Sequence, residues 1–350
     1  MNYLYKMFKG KRVFVTGDTG FKGSWLSIWL HGAGADVVGF ALPPEQENAH
    51  FNLLKLDTII HHVNGDIRDL SSLQRIFDDF QPEFLFHLAA QAIVRISYQE
   101  PKYTFDTNVG GSVNILELVS KCASVRSVVY VTSDKCYQNK EWIWGYREND
   151  KLGGHDPYSA SKAAAEIIFS SYLDSFFDKR ENLGIASVRA GNVIGGGDWA
   201  TDRIIPDCIR FLKEKNLIVL RNPSSTRPWQ HVLEPLYGYL TLAVKLMEKP
   251  KQYSGSWNFG PKVESIKTVR ELAEKVIVNW GSGEIRTNCD VIAPHEAGLL
   301  HLNCDKANRL LGWYPRWDFD KTVFETVRWY KEVLNAGPTI TKEQINSYME

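Results

Sequence analysis

Tyr158 and Lys162 are spaced to act together in acid–base chemistry. They form the pattern Y-x-x-x-K, and residues four apart on a helix share one face. A tyrosine hydroxyl has an unperturbed pKa of about 10, which is too high for a base at neutral pH. A lysine ammonium beside it favours the phenolate, so the pair is suited to removing a proton from an alcohol. The pattern alone is common, and it becomes specific only together with the features below.

Ser133, Asp134 and Lys135 follow the apolar run SVVYVT. A polar strand end carrying a solvated ion pair would look the same, but three adjacent polar groups at the end of a buried strand favour a catalytic site. Ser133 can hydrogen-bond a reacting hydroxyl. Asp134 can act as an acid if burial raises its pKa above about 4. Lys135 can act as a base only if its pKa falls below its usual value of about 10.4.

A glycine-rich turn lies between a predicted strand and a predicted helix. Gly17, Gly20 and Gly23 form G-x-x-G-x-x-G after KRVFVT and before SWLSIWLHG. The first glycine permits a tight turn, the second lets the backbone approach a pyrophosphate, and the third lets the helix pack on the strand. The helix N-terminus offers N–H groups to that anion. We therefore predict a dinucleotide site that also includes Thr19 and Phe21.

The residues around this turn leave the type of dinucleotide open. Asp18 places a carboxylate in the turn, where it should weaken anion binding unless it points away or caps an N–H; on this ground we expect Asp18→Gly to tighten cofactor binding. The acidic residue that usually binds the ribose about 20 residues later is missing, because the second strand ends in Phe40, Ala41 and Leu42. No arginine replaces it, so this strand does not distinguish NAD from NADP.

Further cofactor contacts are predicted at the ends of the next strands. They are Asp66 and Ile67 after the third strand, Ala89 and Ala90 after the fourth, and Asn108 on the following helix. The alternatives are a helix-capping aspartate and small residues that permit close packing. His87, within FLFHL, is predicted to be a core histidine whose ring nitrogens are satisfied.

Strands alternate with helices over the first part of the chain. Strands are predicted at residues 11–16, 36–42, 59–63, 84–88, 127–132 and 185–188, and helices at 24–32, 70–80, 103–122 and 157–176. This alternation predicts an α/β fold, a Rossmann-type doubly wound parallel sheet whose strand ends form the ligand edge. Loops rich in Gly, Pro and Trp begin near residue 191 and indicate a smaller, discontinuous C-terminal substrate domain. We predict a dinucleotide-binding domain over 1–190 plus about 230–258, and a second domain over 191–229 plus 259–340.

Composition excludes several classes of protein. The 350 residues carry 41 basic and 41 acidic side chains, so the basic excess typical of nucleic-acid binders is lacking. With 44% hydrophobic residues the chain is not of the disordered type. No apolar run approaches the roughly 18 residues of a membrane span, and MNYLYKMFKGK lacks a signal-peptide core. The five cysteines form no C-x-x-C pair and no metal pattern, so we expect a cytoplasmic protein without a metal site.

These motifs together resemble the extended short-chain dehydrogenases/reductases, and more narrowly the nucleoside-diphosphate-hexose 4,6-dehydratases. The resemblance runs from about Lys11 to Trp329 and rests on TGDTGFKGSW, HLAAQ, TSDKCY, EWIWGYREN, DPYSASK, SVRAGNVIGGGDWA, RIIP, RPWQHVLEP and NFGP. The members that act on dTDP-glucose typically have Asp-Glu after the Ser/Thr. Asp134-Lys135 departs from that pair and fits the members that act on CDP-hexoses.

The resemblance implies a reaction and roles for the residues. Tyr158 takes the proton of the C4 hydroxyl while hydride passes to NAD, Lys135 assists removal of the C5 hydrogen, and Asp134 protonates the departing C6 hydroxyl. Hydride then returns to C6, giving a 4-keto-6-deoxy sugar for deoxysugar and surface-polysaccharide biosynthesis. The resemblance places Asn192 and Arg227 near the diphosphate of the nucleotide sugar. Weaker candidates for substrate binding are Arg203, Asn258, His295 and Glu296, for which the alternatives are surface charge, a turn residue and a helix cap.

Several alternatives remain open at this point. The chain is also compatible with a dehydratase or 4-epimerase of another nucleotide sugar, or with a non-catalytic dinucleotide-binding protein. The resemblance suggests a homodimer or homotetramer formed through the helices at 103–122 and 157–176, which could instead be ordinary sheet-covering helices. The Trp142-Ile143-Trp144 loop is predicted to pack on substrate or to form a subunit contact.

Overall fold

The computed structural model describes residues 3–214, 217–220, 222–287, 298–336 and 339–350. Its strands are β1 Arg12–Thr16, β2 Asp36–Ala41, β3 His61–Asn64, β4 Phe84–His87, β5 Ser127–Val131, β6 Gly184–Ala190, β7 Val193–Ile194, β8 Ile218–Leu220, β9 Thr226–Pro228, β10 Gln230–His231, β11 Gly255–Phe259, β12 Ile266–Thr268 and β13 Ile285–Thr287. Its helices are α1 Tyr3–Phe8, α2 Phe21–Gly32, α3 His50–Leu53, α4 Leu70–Phe80, α5 Val94–Gln99, α6 Pro101–Phe105, α7 Ser112–Lys121, α8 Pro157–Tyr172, α9 Ile204–Lys213, α10 Leu233–Glu248, α11 Pro250–Tyr253, α12 Val269–Trp280, α13 Phe319–Ala336 and α14 Thr339–Met349.

Seven strands form one parallel sheet in the order β11-β6-β5-β4-β1-β2-β3. Strand order reverses between β1 and β4, so the ends of these two strands open the crevice in which such sheets bind ligands. The predicted α/β fold with a parallel, doubly wound sheet is therefore confirmed. The remaining short strands pair in three two-stranded sheets.

Apolar residues on both faces of the strands hold the sheet between two helical layers. Val13 and Val15 of β1 pack in one core, and Phe14 between them packs in the other. All three side chains are fully buried. This arrangement explains why the strands read as continuous apolar runs and not as alternating ones.

Capping residues fix where the helices at the ligand edge begin. Asp156 precedes α8, and its carboxylate accepts hydrogen bonds from the backbone N–H and the hydroxyl of Ser159. Pro157 occupies the first helical position, where its missing N–H costs nothing. As a result α8 starts at Pro157, one residue before Tyr158.

The two long helices expected at 103–122 and 157–176 are each interrupted. The first consists of α6, a π-helical segment at Asp106–Gly111, and α7; the second is α8 followed by a π-helical segment at Leu173–Phe177. Gly111 lies against Ile67, where a Cβ would come within 2.5 Å of the isoleucine side chain. Hydrophobic spacing does not reveal such widened turns. The predicted domain boundaries stay a prediction, although β11 joins the main sheet beside β6, as the assignment of 230–258 to the first domain requires.

Candidate active site

The glycine turn is closed by contacts that exclude side chains. Gly17 has φ +77°, a left-handed conformation that favours glycine, and a Cβ on it would lie 2.7 Å from the backbone nitrogen of Ala89. A Cβ on Gly23 would lie 1.9 Å from the carbonyl oxygen of Gly17. The turn therefore brings bare backbone to the start of α2, an arrangement that fits a dinucleotide pyrophosphate.

Thr19 and Phe21, the two other predicted residues of this turn, have different surroundings. The Thr19 hydroxyl donates to the carbonyl oxygen of Leu42 at 2.9 Å, which joins the turn to the end of β2. Phe21 begins α2, and its ring approaches Gly195, where a Cβ would lie 3.2 Å from it. Phe21 therefore lies where the second part of the chain meets the turn.

The carboxylate of Asp18 turns toward the neighbouring strands. It is fully buried and lies 2.7 Å from the His62 Nδ1 on β3. It also lies over Gly39, where a Cβ would come within 2.1 Å of Oδ2. In this orientation the carboxylate need not weaken anion binding, and the tighter cofactor binding expected of Asp18→Gly stays a prediction.

His62 balances the charge of this carboxylate. Burial lowers the pKa of His62, but its hydrogen bonds to Asp18 and Asn64 outweigh burial and the net shift is upward. The His62 Nε2 lies 3.0 Å from the Asn64 Oδ1, so both ring nitrogens face acceptors and the imidazolium satisfies both. Sequence reasoning missed His62, because nothing in its local sequence indicates a partner 44 residues away.

Asp66, which precedes Ile67, lines a shallow cavity of about 560 Å³. Asp66 binds Arg68 through the backbone N–H, Nε and Nη2 of that residue, at 2.9, 3.0 and 2.5 Å, and Arg68 lowers its pKa. Ile67 is buried, and its carbonyl accepts from Asn114 at 2.9 Å. Asp66 and Asn114 line the cavity, so these groups stand where polar contacts to an adenosine are possible.

Asn108 and His87 are buried near the ligand edge and hydrogen-bond to other protein groups. The Asn108 side chain bonds to the backbone N–H and carbonyl of Gln91 and to the Ser161 hydroxyl, at 2.8, 3.0 and 2.9 Å. It thereby ties the loop that follows Ala90 to helix α8. His87 is a core histidine, as predicted: its ring nitrogens contact Thr16 and Ser112, and burial lowers its pKa to about 3.

Ser133 and Asp134 stand together at the end of β5, as predicted. The Ser133 hydroxyl donates to the Asp134 Oδ1 at 3.0 Å. Burial raises the pKa of Asp134, while Lys135 and Ser133 oppose the rise. Asp134 Oδ2 is buried and has no hydrogen-bond partner among the described residues. Gly191 faces it, and a Cβ there would lie 3.0 Å from Oδ2.

Tyr158 and Lys162 are both buried on α8. Burial raises the pKa of Tyr158 to about 12, and a hydrogen bond with Ser133 opposes that rise. Burial lowers the pKa of Lys162 to about 8, and Glu166 and Cys136 oppose that fall. Ser133 thus connects Tyr158 and Asp134, so the two motifs found separately in the sequence form one site.

Lys22, inside the glycine turn, is a site residue that sequence reasoning missed. Burial and the neighbouring cations Arg203 and Lys162 lower its pKa to about 8, while Asp134 and Asp198 oppose this. Its ammonium therefore belongs to the same charged cluster as the groups at the end of β5. The signal available in the sequence was a lysine between Phe21 and Gly23, the last two residues predicted to belong to the turn, at the start of α2.

Arg203, Arg227 and Asn192 come from the second part of the chain. Arg203 pairs with Asp198 at 2.9 Å and lies near enough to Tyr158 to influence its pKa. Arg227 influences the pKa of Asp134, and its Nη1 donates to the carbonyl of Thr226 at 2.8 Å. Asn192 precedes β7, and its carbonyl accepts from Gln230 at 3.1 Å. The two arginines are therefore placed at the catalytic groups, and their contacts with substrate stay a prediction.

Asn258 is fully buried, and its side chain is occupied by other protein groups. Its amide donates to the carbonyls of Tyr146 and Asn303 at 2.8 and 3.2 Å, and its oxygen accepts from the Tyr137 hydroxyl at 2.8 Å. This position suits a residue that supports the wall of the site, and a substrate contact stays a prediction. His295 and Glu296 lie outside the described residues.

The described ranges contain no cluster of three or more His, Cys, Asp or Glu side chains arranged to hold a metal ion. Within the same ranges, no helix is both long enough and apolar enough to cross a membrane.

The Trp142 ring stacks on Tyr146 with ring centroids 5.2 Å apart, whereas Ile143 and Trp144 are 76% and 66% exposed. The structure therefore separates a packed Trp142 from two exposed apolar residues.

Comparisons with known proteins show the family of the chain. Residues 14–326 match the GDP-mannose 4,6 dehydratase family. The chain is 47% identical to the CDP-glucose 4,6-dehydratase of Salmonella typhimurium, over 98% of this chain and 97% of that protein. It is 24% identical to the GDP-mannose 4,6 dehydratase of Cricetulus griseus, over 94% and 93% of the two chains.

Among solved structures, the fold resembles a dTDP-glucose 4,6-dehydratase of Streptomyces venezuelae that has NAD bound. The TM-score is 0.79 at 25% identity, covering 92% of this chain and 97% of that one. The family match spans most of the chain, and the Salmonella relative aligns over nearly its full length. The chain belongs to the GDP-mannose 4,6 dehydratase family.

Proposed function

We propose that this protein is an NAD-dependent CDP-glucose 4,6-dehydratase, a lyase that converts CDP-D-glucose to CDP-4-keto-6-deoxy-D-glucose and water. Its 47% identity to the Salmonella CDP-glucose enzyme supports the reaction and the nucleotide. The observation that carries the proposal is the pairing of an acid with a base. Ser133 hydrogen-bonds to Asp134 and to Tyr158, and Asp134 presents a buried Oδ2 without a partner in the described chain.

The cofactor fits the glycine turn because the backbone there excludes side chains from the pyrophosphate position. When bound, NAD would supply the hydride-transfer chemistry between C4 and C6 of the sugar. Gly17, Gly20 and Gly23 would hold its pyrophosphate, and Asp66 and Ile67 would contact its adenosine. Lys162 places a cation on the same helix as Tyr158 and favours the phenolate of that residue.

The protein's own groups move three protons. Tyr158 removes the proton from the C4 hydroxyl, which allows the carbon to be oxidised to a ketone. The ketone acidifies the C5 hydrogen, and Lys135 assists its removal. Asp134, whose pKa is raised by burial, keeps a proton for the C6 hydroxyl, which leaves as water. C5 finally takes a proton that comes from solvent. The sugar thus loses two protons, from the C4 hydroxyl and from C5, and gains two, on the departing C6 oxygen and on C5, so atoms and charges balance.

The test is to incubate the protein with CDP-glucose and NAD in deuterated water. A dehydratase forms a 4-keto product that absorbs in alkali, carries deuterium at C5 and accumulates without net NADH. Starting from CDP-glucose labelled with deuterium at C4, the label appears at C6. Absence of the ketone product would overturn the proposal.

The same assay separates the alternatives. A 4-epimerase needs no acid at C6 and gives no stable ketone, and a non-catalytic binding protein turns nothing over. If dTDP-, UDP- or GDP-hexoses react faster than CDP-glucose, the chain is a dehydratase of another nucleotide sugar. The presence of Asp134 with Lys135, in place of an aspartate with a glutamate, favours CDP-glucose.

We infer that two copies associate through the faces of α5, α6 and α8. Tyr98, Phe105, Ile167 and Phe176 on or beside these helices are 42%, 38%, 59% and 55% exposed, and grouped exposed apolar side chains are typical of an interface. Light scattering after gel filtration tests this: the wild type should elute as a dimer or tetramer. Ile167→Glu should elute as a smaller species, and an unchanged mass would contradict the inference.

The cellular role follows from the product. A 4-keto-6-deoxy nucleotide sugar is a precursor of deoxysugars, so the protein belongs in surface-polysaccharide biosynthesis such as that of O-antigen. A soluble substrate and cofactor are consistent with a cytoplasmic location. Deletion of the gene should abolish the ketone product in cytosolic extracts supplied with CDP-glucose, and product formed only by the membrane fraction would contradict this location.

A further inference from the structure

Helix α8, which carries Tyr158 and Lys162, also carries a buried carboxylate that the proposed reaction does not use. Glu166 is 2% exposed and follows Lys162 by one turn of α8, so the two share a helix face. Its carboxylate accepts hydrogen bonds from the hydroxyls of Thr132 and Ser187, the latter at 2.8 Å, and from the Arg189 Nη2 at 2.6 Å. Two neighbouring strands, β6 and the end of β5, therefore contact one side chain of α8.

One partner of Glu166 is Thr132, which follows β5 and precedes the catalytic group Ser133. Thr132 is adjacent to Ser133, and its backbone N–H donates to the Val188 carbonyl of β6 at 2.9 Å. The Glu166 carboxylate thus connects the end of β5, which carries Ser133, to the helix that carries Tyr158. A shift of α8 against β5 would break the hydrogen bond between Thr132 and Glu166.

Arg189 extends this contact toward the loop after β5. Its Nη1 donates to the Tyr137 hydroxyl at 2.7 Å and to the Glu148 carbonyl at 2.9 Å. Burial raises the pKa of Glu166, but Arg189 and the hydroxyl donors outweigh burial, so its pKa is lowered and the carboxylate is ionised. The Arg189–Glu166 pair is nearly inaccessible, with side-chain exposures of 3% and 1%.

The groups that act on Lys162 come from several elements. Glu166 lies on its own helix, Cys136 follows β5, Lys22 begins α2, and His87 ends β4. Burial raises the pKa of the Cys136 thiol well above its usual value and lowers that of His87 to about 3, so both are neutral. The Glu166 carboxylate is therefore the negative charge among these groups that favours the protonated form of Lys162.

We propose that Glu166 is a positioning residue with two effects: its bond to Thr132 fixes the catalytic strand end against α8, and its charge keeps Lys162 protonated during the reaction. The activity readout rests on the proposed function. The experiment therefore uses whichever nucleotide hexose the wild type turns over, so that failure with CDP-glucose counts against the substrate assignment and not against Glu166.

Two substitutions at Thr132 test the first effect with little disturbance of the fold. Thr132→Val keeps the shape and removes the hydroxyl, and we expect kcat to fall about tenfold while KM changes less than about threefold. Thr132→Ser, which keeps the hydroxyl, should recover most of the loss. Equal kcat values for Thr132→Val and the wild type would overturn this part.

The charge effect is tested by the pH dependence of kcat. Glu166→Gln alone leaves Arg189 buried without its partner, which is strongly destabilising, so the double variant Glu166→Gln/Arg189→Met is made as well. Loss of the carboxylate should move the basic limb of the profile, which we assign to Lys162 in the enzyme with its ligands bound, downward by about one pH unit. Glu117→Gln, which removes a partly exposed helical carboxylate bound to Tyr172, should leave the limb in place.

Folding of each variant is checked by its melting temperature and its affinity for NAD. A folded double variant with the wild-type pH profile would overturn the charge effect. If neither Glu166 variant folds, the Thr132 pair decides: Thr132→Val removes one of the donors that lower the pKa of Glu166, so it should move the basic limb in the same direction. An unmoved limb in Thr132→Val would then overturn the charge effect.

Discussion

Removing His62 should leave a buried carboxylate without its counter-charge. Asp18 is fully buried, and the His62 side chain is only 8% exposed. In His62→Phe the new ring can pack near Phe51, whose centroid lies 4.8 Å from that of His62, so packing is largely kept. The loss is then chiefly electrostatic.

The size of this loss follows from the burial of the pair. Breaking a buried ion pair by removing one partner costs about 3–5 kcal/mol. The unfolding entropy scales with chain length, and for the 350 residues here it amounts to about 0.7 kcal/mol/K. The melting temperature of His62→Phe should therefore fall by about 4–7 °C near neutral pH.

The pH dependence of this deficit has a definite sign. The net pKa of His62 is raised above its usual 6.5, so the stability it contributes is fully present below pH 6.5 and is lost as pH rises through the folded-state pKa. Above that pKa the wild type also lacks the ion pair between His62 and Asp18. The difference in melting temperature between the wild type and His62→Phe should therefore shrink. It should also shrink in acid, because burial raises the pKa of Asp18 and its protonation relieves the variant.

Thermal melts of the wild type and His62→Phe across the pH range provide the measurement. His61→Phe is the matched control, because His61 is the preceding residue on β3 and is exposed; it should change the melting temperature little. Asp18→Asn/His62→Phe removes both charges and should recover much of the loss. A deficit independent of pH, or equal in the two single variants, would refute the electrostatic reasoning.

Three further predictions concern the reaction and the turn. Asp134→Asn should bind NAD normally but lose dehydration by about 10²–10⁴-fold, as measured by formation of the 4-keto product; normal turnover would exclude Asp134 as the acid. Lys135→Met should slow exchange of the C5 hydrogen in deuterated water, and undiminished exchange would remove Lys135 from that step. Gly39→Ala should lower the melting temperature, because its Cβ would lie 2.1 Å from the Asp18 carboxylate. Gly32→Ala, where a Cβ meets nothing within 4 Å, should not lower it.

The features that the sequence revealed are local ones. The strand before the glycine turn, the spacing of Tyr158 and Lys162, and the polar residues after β5 are each contained in a few consecutive residues. Parallel sheets bring the carboxyl ends of their strands to one edge, so finding these motifs at strand ends was sufficient to predict that they meet. The sequence made the role of Asp134 as an acid depend on whether burial raises its pKa; in the structure Asp134 is buried and its pKa is raised.

The features that the sequence did not reveal depend on partners far along the chain. The orientation of Asp18 is set by His62 on β3 and by the space that Gly39 leaves on β2. Asn258 matched a binding motif, yet its side chain is occupied by groups from the segments near 137, 146 and 303. The local sequence shows which residue type lies at a strand end. Tertiary packing decides which group hydrogen-bonds to its side chain.

This difference explains why the charged groups of the site were underestimated. The sequence placed Lys162 beside Tyr158 and assigned Arg203 to substrate, whereas the structure adds Lys22 to the same cluster and pairs Arg203 with Asp198. A neutral chain can thus assemble a strongly charged site, because elements distant in sequence contribute one charge each. The pKa of both Lys22 and Lys162 is about 8: burial lowers both, and the neighbouring cations Arg203 and Lys162 add to the fall at Lys22. Binding an anionic cofactor and substrate there should raise both pKa values, since each added negative charge favours the ammonium form.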